Sequence, residues 1–80
     1  MLKVKVLSIE DSLYEGDASA VFLPDSKGEF EVLPHHARLL AALTEGPIRI
    51  RKEDGSMEII KIKSGFAQVE NDSVTICVEL

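Results

Sequence analysis

Two adjacent histidines, His35 and His36, are the residues of this chain best suited to chemistry. Imidazoles bind metals and transfer protons near neutral pH. Neighbouring side chains of an extended segment point to opposite sides, so the two rings cannot easily share one ion. A structural zinc site usually takes four ligands, and the chain offers no third histidine and one cysteine, Cys77, although carboxylates are present. We therefore expect no metal site, with one histidine exposed and the other packed against its loop.

A pair of carboxylates, Glu29 and Glu31, is the second candidate. Two residues apart on a strand, they share a face and could act as acid and base if a cleft shifted their pKa values. Beside a turn that contains Lys27, they are more typical of a solvated contact surface. Ser64-Gly65 does not lie in a G-x-S-x-G frame, and phosphate-binding glycine patterns are absent. We expect no catalytic residue and no cofactor, and we interpret Cys77 as a strand residue without chemistry.

Four basic residues alternate with isoleucines in the second half of the chain: Arg49, Arg51, Lys61 and Lys63. We expect them on the outward face of one hairpin, with Arg49 opposite Lys61, although like charges directly opposite each other are destabilising. Two interpretations remain open. The residues form a solvated face that keeps a strand soluble, or a patch that meets an acidic surface on another chain.

The composition limits the class of protein. A net charge of −5 over 80 residues argues against nucleic-acid binding, which needs a basic footprint. The apolar content of 45% is enough for one core, yet no run approaches the ~18 apolar residues of a membrane span. The N-terminus has no long apolar segment, so we expect no signal peptide. A single cysteine favours a reducing compartment. A soluble cytoplasmic domain fits these observations.

Strands must position these residues, because apolar residues alternate with polar ones along much of the chain. Alternation over 2–6 predicts a strand that ends or bulges at Val6-Leu7. The apolar run 18–23 predicts a strand covered on both faces, followed by a turn over 24–28. A short strand over 29–33 ends at Pro34. The segment 36–43 is ambiguous, and we favour one turn of helix followed by an extended piece.

The remaining elements follow from turn residues. Asp54-Gly55 predicts a hairpin in which Ile48 lies opposite Ile62 and Ile50 opposite Ile60, with a loop over 54–56. A change of apolar parity predicts a bulge at Gly65. A turn over 71–73 then leads into a last alternating strand. Many short strands and frequent turns indicate an all-β sandwich or barrel in a single domain, residues 1–80.

The run from Gly28 to Leu40 carries a family resemblance. It reads Gly-Glu-Phe-Glu-Val-Leu-Pro-His-His-Ala-Arg-Leu-Leu, which resembles Gly-Glu-Phe-Gly-Val-Leu-Pro-Gly-His-Ala-Pro-Leu-Leu of the epsilon subunits of F-type ATP synthases. Further similar segments are 8–10, 14–16, 21–24, 46–50, 54–55, 64–69 and 74–76. Glu31 and His35 stand where the family has glycine, and Arg38 where it has proline. Typical relatives continue into two C-terminal helices that can inhibit ATP hydrolysis, so a chain ending at Leu80 is a naturally short form or an excised domain.

The resemblance implies a flattened sandwich of two mostly antiparallel sheets, with roughly eight to ten short strands. It implies a non-catalytic rotor subunit that couples the c-ring to gamma during proton-driven ATP synthesis. Such a subunit sits peripherally at the cytoplasmic face of an energy-transducing membrane, without inserting into it. The expected c-ring contacts are Ser26, Lys27, Gly28, Glu29 and Glu31. The expected gamma contacts are Ser8, His36, Ala37, Arg38, Leu40 and Ala41. The alternative is an unrelated small β-sandwich that binds another protein.

Overall fold

Nine strands and no helix make up the chain in a computed structural model that describes residues 1–80. The strands are β1 (Leu2–Leu7), β2 (Ser12–Ala18), β3 (Ala20–Asp25), β4 (Gly28–Val32), β5 (Leu39–Leu43), β6 (Gly46–Arg51), β7 (Met57–Ile62), β8 (Ser64–Glu70) and β9 (Ser73–Glu79). They form a five-stranded sheet, in the order β2-β1-β9-β8-β5, and a four-stranded sheet, in the order β4-β3-β6-β7. Only β1 and β9 pair in parallel. The predicted all-β sandwich of two mostly antiparallel sheets is confirmed.

The core lies between the two sheets and is entirely apolar. Every residue of the core cluster faces inward from a strand; examples are Val4, Val6, Ile48, Ile50 and Ile76. No polar or charged residue is buried. The predicted alternation of the first and last strands is therefore confirmed, and so is the irregularity after Val6, where the β1–β2 register shifts. No helix that could cross a membrane occurs in the chain.

The apolar run 18–23 belongs to two strands rather than one. β2 ends at Ala18 in one sheet, and β3 begins at Ala20 in the other. Between them, Ser19 donates its backbone N–H to the Arg51 carbonyl at 2.8 Å and its hydroxyl to the same oxygen at 3.2 Å. Both alanines are 0% exposed, but only Ala18 belongs to the core, where it lies opposite Leu2; Ala20 lies opposite Arg51 on the outer face of its sheet. The continuous apolar pattern therefore marks a corner between sheets, and β2 was missed as a separate strand.

A second corner replaces the bulge predicted at Gly65. β7 ends at Ile62 in the four-stranded sheet, and β8 begins at Ser64 in the five-stranded one. Lys63 joins them and donates its backbone N–H to the Glu79 carbonyl at 2.8 Å. The β8–β9 register runs without interruption, so the bulge prediction is wrong. Buried residues change from even to odd positions because the chain passes from one sheet to the other, and the core lies on the opposite side of the chain after the corner.

The segment 36–43 contains no helical turn, so that part of its prediction is wrong. Its extended part is confirmed, because Leu39–Leu43 pairs with β8 over five residues. The alanines in this segment favour a helix locally. Pairing with a strand more than twenty residues away decides otherwise, as tertiary context routinely does.

The β6–β7 hairpin exists, but its register differs by two residues from the prediction. Ile48 lies opposite Ile60, and Ile50 opposite Glu58. Lys52 donates its backbone N–H to the Ser56 carbonyl at 2.8 Å, so the loop is 53–55 rather than 54–56. Gly55 adopts a φ of 88°, which favours glycine at that point of the loop. A shift of two keeps every side chain on its predicted face, because the strand period is two.

Candidate interaction surfaces

The candidate contact residues lie at two opposite ends of the sandwich and along the edge strand β5 between them. At one end, which we call the turn end, the β3–β4 turn adjoins the β5–β6 connection, where Thr44 donates its backbone N–H to the Pro24 carbonyl at 3.2 Å. At the other, the histidine end, His35 donates its backbone N–H to Oδ1 of Asp72 in the β8–β9 turn at 2.7 Å. β4 connects the two ends, and its five residues span about 13 Å.

The β3–β4 turn presents its residues to solvent in a fixed conformation. Oδ1 of Asp25 accepts the backbone N–H of Lys27 at 2.8 Å, which closes the turn locally. Gly28 has a φ of 125°, a conformation that L side chains rarely adopt. Ser26, Lys27, Gly28 and Glu29 are all exposed. The turn is thus a small projecting surface, closed locally by the Asp25 side chain.

Glu29 is held by an arginine from another strand. Nε of Arg49 donates to Oε2 of Glu29 at 3.0 Å, and Nη2 donates to Oε1 at 2.8 Å. These hydrogen bonds, followed by the charge of Arg49, lower the pKa of the Glu29 carboxyl, while partial desolvation opposes them. The pKa of Arg49 is raised by the same contacts. The prediction that Arg49 lies opposite Lys61 is wrong, because it lies opposite Ile59 in the hairpin. Its charge is paired with that of Glu29.

Glu31 differs from Glu29 although the two share the outward face. It is exposed and has no ion-pair partner within 4 Å. Of the predicted carboxylate pair, Glu29 is thus bound by Arg49, and Glu31 is free. The predicted basic face also changes, because Lys63 lies in the corner between the sheets. Of the other three residues, Arg51 donates its Nε to the Ser19 hydroxyl at 3.1 Å and lies half-buried.

The histidine end is built by residues with positive φ. His35 has a φ of 67°, and Asn71 and Asp72, which form the β8–β9 turn, have φ of 50° and 63°. Nδ1 of His35 lies 3.9 Å from Oδ2 of Asp72, yet the His35 side chain is 90% exposed. His36 is exposed too, so the prediction that one histidine packs against its loop is wrong. No three His, Cys, Asp or Glu side chains gather in an arrangement that could hold a metal.

The rest of the predicted gamma set spreads along the five-stranded sheet. Ala37 and Arg38 are exposed beside His36, and Nη2 of Arg38 lies 3.3 Å from Oε1 of Glu70. Leu40 points outward from β5 and is 67% exposed. Ala41 alternates with it and shares the inner face with Leu39 and Leu43, opposite buried Ala67. Ser8 follows β1 at the turn end, so the structure does not bring it close to His36.

An outward apolar strip crosses the same sheet and was missed. Leu7, Cys77, Phe66 and Ala42 lie side by side on β1, β9, β8 and β5. Phe66 is 51% exposed, and Cys77 is exposed as a free thiol. The strip fills the surface between Ser8 and Leu40. Phe66 could have been found from the sequence, because it is out of phase with Ala67 and Val69, which face the core.

Comparison with known proteins identifies the family. The family model described as "ATP synthase, Delta/Epsilon chain, beta-sandwich domain" matches residues 1–80. The chain is 42% identical over 77 residues to the ATP synthase epsilon chain of Synechococcus sp. (strain WH7803), covering 96% of this chain and 56% of that protein. The fold thus defines a β-sandwich domain of two sheets without helices. The chain belongs to the delta/epsilon family of ATP synthase subunits and corresponds to their β-sandwich domain.

Solved structures show the same fold. A chain of the Euglena gracilis mitochondrial ATP synthase, solved as OSCP, F1 and c-ring, matches with a TM-score of 0.90 at 22% identity, covering 96% of this chain and 49% of that one. A chain of the Tetrahymena thermophila mitochondrial ATP synthase, solved as central stalk and c-ring, matches with a TM-score of 0.83 at 15% identity, covering 99% and 63%. The chain spans about half to three fifths of the length of the relatives it matches.

Proposed function

We propose that this domain is a non-catalytic rotor component of an F-type ATP synthase, which couples the c-ring to gamma during proton-driven ATP synthesis. The family supports this role. The observation that carries it is the separation of two exposed surfaces on one stiff body: a charged turn at one end, and a long face on the five-stranded sheet. A coupling element needs both surfaces and a packed core between them.

The β3–β4 turn is the proposed c-ring contact. Ser26 and Lys27 project beyond the sheets beside exposed Gly28, and Glu31 lies on the adjoining outward face with its charge unpaired. A polar, protruding hairpin suits a contact with the polar loops of the c-ring. Glu29 belongs to the same surface, although its carboxylate is already engaged by Arg49.

The outer face of the five-stranded sheet is the proposed gamma contact. Its candidates run from Ser8 at the turn end to Leu40, Arg38, Ala37 and His36 at the histidine end. The apolar strip around Phe66 supplies the partly apolar centre that protein interfaces commonly have. Ala41 contributes through its backbone, since its side chain faces the core. Through both contacts the domain lies peripherally at the cytoplasmic face of the membrane, without inserting into it.

Charge reversal at the free carboxylate tests the proposal. We expect Glu31→Lys to reduce retention of the c-ring in a pull-down with the cognate gamma and c-ring, and to leave gamma bound. Glu53→Lys is the matched control, because Glu53 is an exposed acid in the β6–β7 loop at the histidine end. Full retention of the c-ring by the combined Glu29→Lys and Glu31→Lys variant would contradict the c-ring contact. Failure of the unaltered chain to bind gamma would contradict the rotor role.

A further inference from the structure

Arg49 connects three neighbouring strands on the outer face of the four-stranded sheet. It extends from β6, crosses β3, and reaches Glu29 on edge strand β4. In the ladder Arg49 lies opposite Phe22, and Phe22 lies opposite Glu31, so the arginine must run diagonally to meet Glu29. Its guanidinium carbon lies 4.5 Å from the centre of the Phe22 ring on the way.

We propose that Arg49 is a positioning residue for the β3–β4 turn: by occupying the Glu29 carboxylate it fixes the hairpin's orientation and leaves Glu31 as the free carboxylate of that surface. The inference rests on the proposed function, in which this turn meets the c-ring. Arg49 itself makes no contact with the partner in this account. It acts through Glu29 and the backbone that carries it.

The geometry favours positioning over a simple surface ion pair. Two parallel N–H···O bonds from one guanidinium fix both the distance and the plane of the carboxylate, which a lysine cannot do. Stacking on Phe22 restricts the arginine further. β4 needs such a link because it is an edge strand, joined through its backbone only to β3.

Arg51 offers a matched comparison on the same strand and face. Its guanidinium carbon lies 5.9 Å from the Phe22 ring centre, and its Nε donates to Ser19 at the other end of β3. Like Arg49 it is charged, half-buried and close to Phe22, but it has no carboxylate partner. An effect specific to the turn should follow Arg49 alone.

The test combines amide hydrogen exchange with c-ring retention. In Arg49→Gln and Arg49→Lys we expect the amide of Lys27 to exchange roughly threefold faster or more, and c-ring retention to fall. Arg51→Gln should change neither quantity. Glu29→Gln should reproduce the Arg49→Gln effect, and the double variant should be no worse than either single one, because both remove the same pair.

The outcomes separate this inference from the proposed function. If Arg49 and Arg51 variants act alike, or if the turn keeps its protection in Arg49→Gln, the positioning role is overturned. If Glu31→Lys releases the c-ring while Arg49→Gln retains it fully, the positioning role is overturned and the proposed function stands. If Arg49→Gln loosens the turn and neither it nor Glu31→Lys changes retention, both fail.

Discussion

His35→Gly should stabilise the domain, although it deletes a whole side chain. His35 has a φ of 67°, in the left-handed region where a residue with a Cβ is strained by about 1–2 kcal/mol. Glycine removes that strain and keeps the backbone N–H bond to Asp72, which measures 2.7 Å. The side chain loses little, because it is 90% exposed and its nearest carboxylate oxygen is 3.9 Å away. Glycine is also the residue at this position in the epsilon-type run that the chain resembles.

The expected gain follows from two opposing terms. Strain relief favours glycine, whereas its greater freedom in the unfolded chain costs about 0.5–1 kcal/mol. The net stabilisation is about 0.5–1 kcal/mol, which for a domain of this size raises the Tm by about 2–8 °C. Thermal unfolding followed by circular dichroism measures this shift, and urea titration gives the same free energy independently.

His36→Gly is the control for this prediction. His36 is a neighbouring exposed histidine that does not share the positive φ. The same replacement there brings the entropic cost and removes the 2.8 Å contact between Nδ1 of His36 and the Ala37 carbonyl, without strain relief, so the Tm should fall. His35→Asn should lie between the native protein and His35→Gly, because asparagine tolerates the left-handed region better than most residues. A Tm for His35→Gly at or below that of His36→Gly would refute the strain argument.

Two further predictions concern packing and acid stability. Gly65→Ala should destabilise the domain by about 1–3 kcal/mol, because the added Cβ would lie 2.8 Å from the backbone oxygen of Cys77; urea titration measures it, with a small effect of Ser64→Ala as the control. The lowered pKa of Glu29 means that its pairing with Arg49 adds stability at neutral pH, and that this contribution is lost as the pH falls below about 4. Glu29→Gln should therefore flatten the acid limb of the stability–pH curve, and an unchanged limb would contradict the pairing.

Alternation identified strands only where one face meets the core and the other meets water. β1, β4 and β9 were predicted for this reason, since residues such as Val4, Val32 and Ile76 are buried beside exposed neighbours. β2 was missed because it is an edge strand whose middle, Glu15 to Asp17, is polar and contains a glycine. Where the chain changes sheets, at Ser19 and Lys63, a local pattern cannot show the change of direction.

The sequence indicated where the candidate residues lie, but not which of their side chains contact one another. The family resemblance placed the turn and the histidine loop, and the structure gives both as exposed ends of the sandwich. The Glu29–Arg49 pair joins residues twenty positions apart across an intervening strand, so no local pattern indicates it. The predicted hairpin register was wrong because a shift of two residues keeps every side chain on the same face. The hydrophobic pattern is therefore the same in both registers and cannot distinguish them. The loop sets the register, because the backbone N–H of Lys52 donates to the Ser56 carbonyl.

The parallel pairing of β1 with β9 sets the order of events when the domain is synthesised. The first and last strands lie side by side inside the five-stranded sheet, and Leu7 meets Cys77. During synthesis, the chain must therefore leave the ribosome as far as Glu79 before β9 can pair with β1 and complete the five-stranded sheet. Until then, the β1 valines lack the β9 side chains that pack beside them. Because such distant contacts slow folding and exposed strands aggregate, the nascent chain should depend on chaperone protection until its ninth strand emerges.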